Sequence, residues 1–300
     1  MTAAPSGVFA PVTTPFDARS GDLDVLALRS NARNLLEADL AGLVLFGTTG
    51  EGPLLDESER LSALEAVRAV VGERLLLAGA GAESTRATVR LVRDAAAAGA
   101  DFVLVPPPSY YRPQLTPEAL REHYVAVADA SPVPLLLYQV PPAYSGVELR
   151  AGLVAELAKH GNIAGIKDST GDLQAMGAIV EGCPADFVVL VGSGAVLYGA
   201  LEVGARGGIL GIANLAPGEC GALFRAKLAG REAEAGAIQE RLAPLHRAVV
   251  AKYGVPGVKA ALDLLGLVGG PPRPPLLSLR EGDRVRVREA LVAAELTTSA

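Results

Sequence analysis

A lysine closes an otherwise apolar run in the segment IAGIKDS (residues 163–169). A low-dielectric surrounding disfavours a charged amine, and the neutral amine is the form that attacks a carbonyl carbon. Lys167 is therefore a candidate nucleophile, although pairing with Asp168 or snorkelling to water accounts for the same segment. Tyr138 closes a second apolar run, PLLLY, ahead of Gln139 and a Pro-Pro pair. A phenol there can shuttle a proton to a carbinolamine or aldol oxygen, or it can fill a core with one hydrogen-bond partner. The loop GTTGE (residues 47–51) follows a third run, GLVLF. Its glycines permit close backbone approach, its successive amides can hold a small carboxylate, and the hydroxyls of Thr48 and Thr49 can relay a proton. A turn that merely caps the next helix fits it equally. Ser109, Tyr110 and Tyr111 follow a run ending in Pro106, Pro107 and Pro108. Such a stiff loop presents aromatic hydroxyls to a site or to a neighbouring subunit.

Something must bring these residues together, and the chain pattern supplies it. Short apolar runs at 7–12, 42–46, 75–79, 102–105, 135–138, 164–167, 187–191 and 208–212 read as parallel strands buried on both faces. Amphipathic segments fall between them, for example at 56–71, 84–98, 117–130 and 172–181. Ser84 and Thr116 are candidate N-caps, and Pro117 suits a first helical position. Eight strand-helix units suit a (β/α)8 TIM barrel of about 250 residues, which gathers all strand C-termini on one face. A doubly wound sheet uses the same alternation, but no GxGxxG follows the first strand. Residues 1–216 are read as the barrel up to its eighth strand. Residues 217–300 carry the last barrel helix and a C-terminal helical extension (217–229, 232–253, 256–265, 281–294), interrupted by GGPPRPP. No linker separates them, so one structural unit is expected.

The bulk properties remove other classes. Lys and Arg number 27 against 33 Asp and Glu, a formal charge of -6, which argues against a nucleic-acid partner. Cys183 and Cys220 form no CxxC and read as reduced thiols. His123, His160 and His246 are scattered without metal-ligand spacing, so no metal is expected. Phosphate-loop and GxSxG motifs are missing, and no cofactor is called for. The start of the chain lacks a basic region followed by an apolar one, and the charge-free stretch 130–147 holds Pro132, Pro134, Pro141 and Pro142. The expectation is a cytoplasmic protein without a membrane partner.

With these residues assembled, the chain resembles the family of dihydrodipicolinate synthase and N-acetylneuraminate lyase. The resemblance runs through VTTPF (12–16), GTTGE (47–51), SYYRP (109–113), YQVP (138–141), IKDS (166–169) and GGILGIAN (207–214), in that order. It implies a pyruvate-binding class I aldolase, a barrel with a helical C-terminal region, and a homotetramer built as a dimer of dimers. By position, Lys167 resembles the Schiff-base lysine, so a covalent imine with substrate takes the place of a cofactor. Tyr138 resembles the general acid/base, and Thr48 and Thr49 the residues whose amides bind the pyruvate carboxylate. The resemblance further implies that Thr49 bridges Tyr138 to a neighbouring subunit's Tyr111, and that the Ile209 carbonyl faces the lysine. Ser169 is a candidate contact for the aldehyde or acid end.

One departure bears on substrate. Dihydrodipicolinate synthases place an arginine five residues after the tyrosine, where it binds the aldehyde's carboxylate; here that residue is Ala143. Synthase activity then needs another cation at that spot, such as Arg112. Segments 75–89, 138–149, 253–266 and 269–276 are similar to 4-hydroxy-2-oxoglutarate aldolase, although its mitochondrial form has Ser and Asn in place of Thr48 and Thr49. The expected reaction is cleavage of 4-hydroxy-2-oxoglutarate to pyruvate and glyoxylate, so the expected partners are a 2-oxo acid and an aldehyde. The alternatives are the synthase, a 2-keto-3-deoxy sugar-acid aldolase, and a pyruvate sensor without turnover.

Overall fold

A computed structural model describes residues 4–296. Its eight strands are β1 Gly7–Pro11, β2 Gly42–Leu45, β3 Leu75–Gly79, β4 Phe102–Val105, β5 Leu135–Gln139, β6 Ile163–Asp168, β7 Val188–Val191 and β8 Gly207–Ile209. They form a closed parallel barrel in chain order, with β1 completing the ring against β8 through Phe9 and Ile209. Strands buried on both faces need apolar residues throughout, and almost every residue in these strands is buried. Two cores result. Phe9, Val44, Leu77, Phe102, Leu136 and Leu190 fill the barrel. The outward residues, such as Leu43, Leu76, Val103 and Ile166, pack against the helices.

The helices between the strands are α1 Val25–Glu37, α2 Glu57–Val71, α3 Thr85–Ala97, α4 Pro117–Ala130, α5 Pro142–Ser145, α6 Ala151–Leu157, α7 Leu173–Gly182 and α8 Leu197–Glu202. Ser84 and Thr116 cap α3 and α4 as expected, accepting from the amides of Ala87 and Ala119. The short α5, α6 and α8 were not anticipated, because so few residues carry no readable helical period. After β8 come α9 Pro217–Leu228, α10 Glu232–Leu245, α11 Lys252–Leu264 and α12 Glu281–Ala293. The eighth strand ends at Ile209, and the rest of the expected strand is a 3-10 turn, Gly211–Asn214. Nor is 232–253 one regular helix. A π-helical turn, His246–Ala251, follows Pro244 and joins α10 to α11. Gly254 then kinks the chain at φ 57 ahead of Pro256, a proline that removes a helical donor. No described helix is long and apolar enough to cross a membrane.

The ladder between β5 and β6 contains one irregularity. Leu135 pairs with Ile163 but Leu136 pairs with Gly165, leaving Ala164 as the extra residue of a bulge. Beyond it Tyr138 stands opposite Lys167. A Cβ on Gly165 would overlap the Val188 carbonyl on β7. Gly165→Ala is therefore expected to destabilise the fold by about 1–3 kcal/mol through overpacking; a lowered urea midpoint at unchanged slope is the check.

Candidate active site

Side chains alternate between the two faces of a strand, so neighbours in the sequence part company at the end of β6. Lys167 points to the barrel interior, the side occupied by its cross-strand neighbour Tyr138. Its Nζ lies 4.1 Å from the centroid of the Tyr138 ring. Asp168 faces away and accepts from the amide and hydroxyl of Thr170 at 2.7 and 2.6 Å. The Lys167–Asp168 pairing that the sequence left open is therefore not formed. Lys167 is only 5 % exposed.

Tyr138 is the penultimate residue of β5, with its hydroxyl 3.3 Å from Thr48 Oγ1. Burial pushes the phenol's pKa up, but the charge of Lys167 and hydrogen bonds from Thr48, Ser169 and Lys167 outweigh it. The phenol therefore lies below its ordinary 10.0, closer to the range useful for proton transfer. This corrects one assignment: the hydroxyl meeting Tyr138 is that of Thr48, not Thr49. A Cβ placed on Gly211 would instead lie 3.5 Å from Thr49 Oγ1, putting that hydroxyl on the side of the turn after β8. Ile209, the last residue of β8, is fully buried in the same inner cluster as Tyr138.

The loop after β2 is bracketed by two non-glycine residues in the left-handed region, Phe46 at φ 57 and Glu51 at φ 55. Within it the amides of Gly50 and Gly52 both donate to the Gly47 carbonyl. The Thr48 and Thr49 amides enter no hydrogen bond among the described residues. Two free, successive amides in a tight turn suit a small anion. Arg60 secures the Phe46 end. Its guanidinium carbon lies 4.6 Å from the centre of the Phe46 ring, and it donates to the carbonyls of Gly52 and Gly79. Burial lowers its pKa to about 10.

A cleft of about 580 Å³ opens from Thr48 and Tyr138 toward Pro106, Ser109 and the side chains of Arg60 and Arg90. Glu83 on its rim accepts from the amides of Ser109 and Tyr110 and from the Ser109 hydroxyl, holding the loop that carries Tyr111. Burial raises the pKa of Glu83, but these hydrogen bonds bring it below 4.5. Tyr111 does not join the site within one chain. It is 67 % exposed, with its ring 5.0 Å from that of Tyr110. Ala143 is exposed in α5, while the guanidinium of Arg112 lies where a Cβ on Gly146 would stand. Arg112 thus reaches the segment that lacks the arginine. Sequence reasoning missed Gln139, whose amide nitrogen donates to Val140 and Val147 and whose oxygen accepts from Leu149. A buried amide beside a proline-rich loop was the available signal. The three histidines are spent on other contacts: His123 on Thr85, His160 on Asp129, His246 on Ser193.

A parallel eight-stranded barrel with a buried lysine beside a tyrosine at its strand C-termini is the architecture of an enzyme, and the relatives agree. The chain belongs to the dihydrodipicolinate synthetase family, which matches residues 4–294. A 4-hydroxy-tetrahydrodipicolinate synthase of Ruegeria pomeroyi is 37% identical over 291 residues, covering 97% of this chain and 99% of that one. A probable mitochondrial 4-hydroxy-2-oxoglutarate aldolase of Emericella nidulans is 36% identical over 289 residues, covering 95% and 93%. Among solved structures, dihydrodipicolinate synthase from Thermotoga maritima superposes with a TM-score of 0.92 at 30% identity, over 97% of this chain and 99% of that one.

The Thr48–Tyr138 contact can be tested directly. A hydroxyl donating to the phenolate stabilises the charged form, so removing it raises the phenol's pKa. Thr48→Val is expected to move the tyrosinate absorbance titration to higher pH and to lower kcat by up to about a hundredfold.

Proposed function

We propose that this enzyme is a class I aldolase that forms an imine between Lys167 and C2 of a pyruvate-type 2-oxo acid. The observation that carries the reading is the pairing of buried Lys167 with Tyr138 across β5 and β6, with Thr48 3.3 Å from the phenol. The lysine amine adds to the C2 carbonyl, Tyr138 protonates the carbinolamine oxygen, and water leaves to give the iminium. The substrate carboxylate sits on the free Thr48 and Thr49 amides. The iminium accepts the electron pair of the breaking C3–C4 bond, and loss of the C4 hydroxyl proton releases the aldehyde. The enamine then takes a proton at C3, and water hydrolyses the iminium to pyruvate and free Lys167. Protons leave Tyr138 through Thr48 toward Tyr111 of the partner subunit, in a homotetramer arranged as a dimer of dimers. Ser169, beside the phenol, faces the aldehyde end, and the Ile209 carbonyl faces the amine.

For the substrate we favour 4-hydroxy-2-oxoglutarate, which yields glyoxylate. Ala143 offers no cation to hold a longer aldehyde's carboxylate, and a relative of nearly equal length bears that aldolase's name. Synthesis from pyruvate and aspartate semialdehyde is the second reading, favoured by Arg112 lying against Gly146.

Borohydride reduction with pyruvate is expected to add mass to Lys167, and Lys167→Ala to abolish both trapping and turnover; an unmodified Lys167 despite bound pyruvate refutes the imine. Turnover with glyoxylate, aspartate semialdehyde and glyceraldehyde ranks the aldehydes. Loss of a charge-assisted hydrogen bond costs roughly tenfold or more in binding. Arg112→Ala is accordingly expected to raise KM for aspartate semialdehyde by about tenfold if the second reading holds.

A further inference from the structure

The loop presenting Thr48 and Thr49 ends on Glu51, a residue with no part in the chemistry above. It adopts φ 55, ψ 30, a conformation that glycine takes freely and other residues resist. Glycine would suit that backbone better, so the side chain must have another use. The Glu51 carboxylate is buried, with one oxygen 2.5 Å from Lys259 Nζ and the other accepting from the Arg273 amide at 2.7 Å. Lys259 is 1 % exposed. Besides Glu51 it donates to the Pro271 carbonyl at 2.9 Å and faces the Phe16 ring at 4.5 Å. The guanidinium of Arg273 lies 4.1 Å from the same ring and pairs with Glu59. Phe16 belongs to the segment in which Thr14 donates to the Gly50 carbonyl at 2.7 Å.

The loop is thus braced from outside the barrel, by the segment after β1 and by the C-terminal helical region. A buried ion pair is a poor source of net stability compared with well-packed apolar residues. It is, however, directional, and it fixes a backbone turn that would otherwise relax. We propose that Glu51, held by Lys259, is a positioning residue for the substrate carboxylate. The pair keeps the turn in which the Thr48 and Thr49 amides stay unbonded and converge on one anion. The inference rests on the reading that those amides hold the pyruvate carboxylate. It predicts that the C-terminal region sets the enzyme's affinity for the 2-oxo acid, although it contributes no group that touches it.

The test compares the unaltered protein with Lys259→Met and with Lys259→Met combined with Glu51→Gln, which removes both charges and leaves neither unpaired. Borohydride trapping of Lys167 is followed against pyruvate concentration, with thermal melting measured in parallel. A displacement of about an ångström in a binding group costs up to about a hundredfold, so half-saturating pyruvate is expected to rise about tenfold or more in both variants. Trapping at saturating pyruvate should still reach Lys167 to its full extent, which loss of fold would not allow. A double variant that folds with unchanged half-saturation, or that does not fold, overturns the proposal. Failure of the carboxylate or imine reading shows separately, since the unaltered protein would then not be trapped at Lys167 in a saturable way.

Discussion

Between Leu135 and Leu136 the ladder joining β5 to β6 slips by one residue, and the catalytic face of the barrel depends on that slip. Side chains alternate with a period of two, so a shift of one residue exchanges the two faces of a strand. Ile163 belongs to the outer core, and so does Ile166 three residues later; unbroken alternation would place them on opposite faces. The extra residue, Ala164, absorbs the difference and delivers Lys167 to the inside beside Tyr138. It also sends Asp168 outward, where Thr170 satisfies it. A carboxylate beside a buried amine would hold it in the charged form, which is not nucleophilic. Alternation keeps the two apart, and the bulge decides which of them faces inward.

Around that pair the fold spends cations on holding backbone. Arg60 fixes the left-handed Phe46, and Lys259 fixes the left-handed Glu51. Between these two clamps lie four residues, Gly47 to Gly50, and their conformation follows from the clamps more than from their own side chains. The cations come from α2, just after the loop, and from α11, some two hundred residues further along the chain. Glu83 and Gln139 do similar work for the loops after β4 and β5. Rigid loops on a rigid barrel suit a site that must hold the Thr48 and Tyr138 hydroxyls within hydrogen-bonding reach.

Most of the barrel was legible because strands buried on both faces must be apolar along their whole length, and seven of the runs stand out as such. The eighth did not end where its hydrophobicity does, since Gly211 and Ile212 continue the apolar pattern in a 3-10 turn. Lys167 and Tyr138 were legible as polar residues closing apolar strands. The choice between Thr48 and Thr49 as the hydroxyl near Tyr138 was not, because it turns on loop dihedrals that a TT pair does not encode. Lys259 and Arg273 were hidden for a different reason. Their partners lie at Glu51 and Glu59, some two hundred residues away, and no local spacing announces such a contact. The segment GGPPRPP reads as an interruption between helices, yet its arginine grips Phe16 and Glu59.

The barrel closes on itself, β1 to β8, and a closed sheet has no unpaired edge. Nothing at its rim can recruit a stray strand, so the loops at the strand ends are free to change length and polarity without inviting aggregation. The inner and outer cores are built from alternate residues of the same strands, and neither includes Arg112 or Ala143. A substitution at either position therefore leaves the scaffold's stability nearly untouched. Exposed positions at the rim can thus vary while the barrel stays intact, a route along which a scaffold can change in small steps.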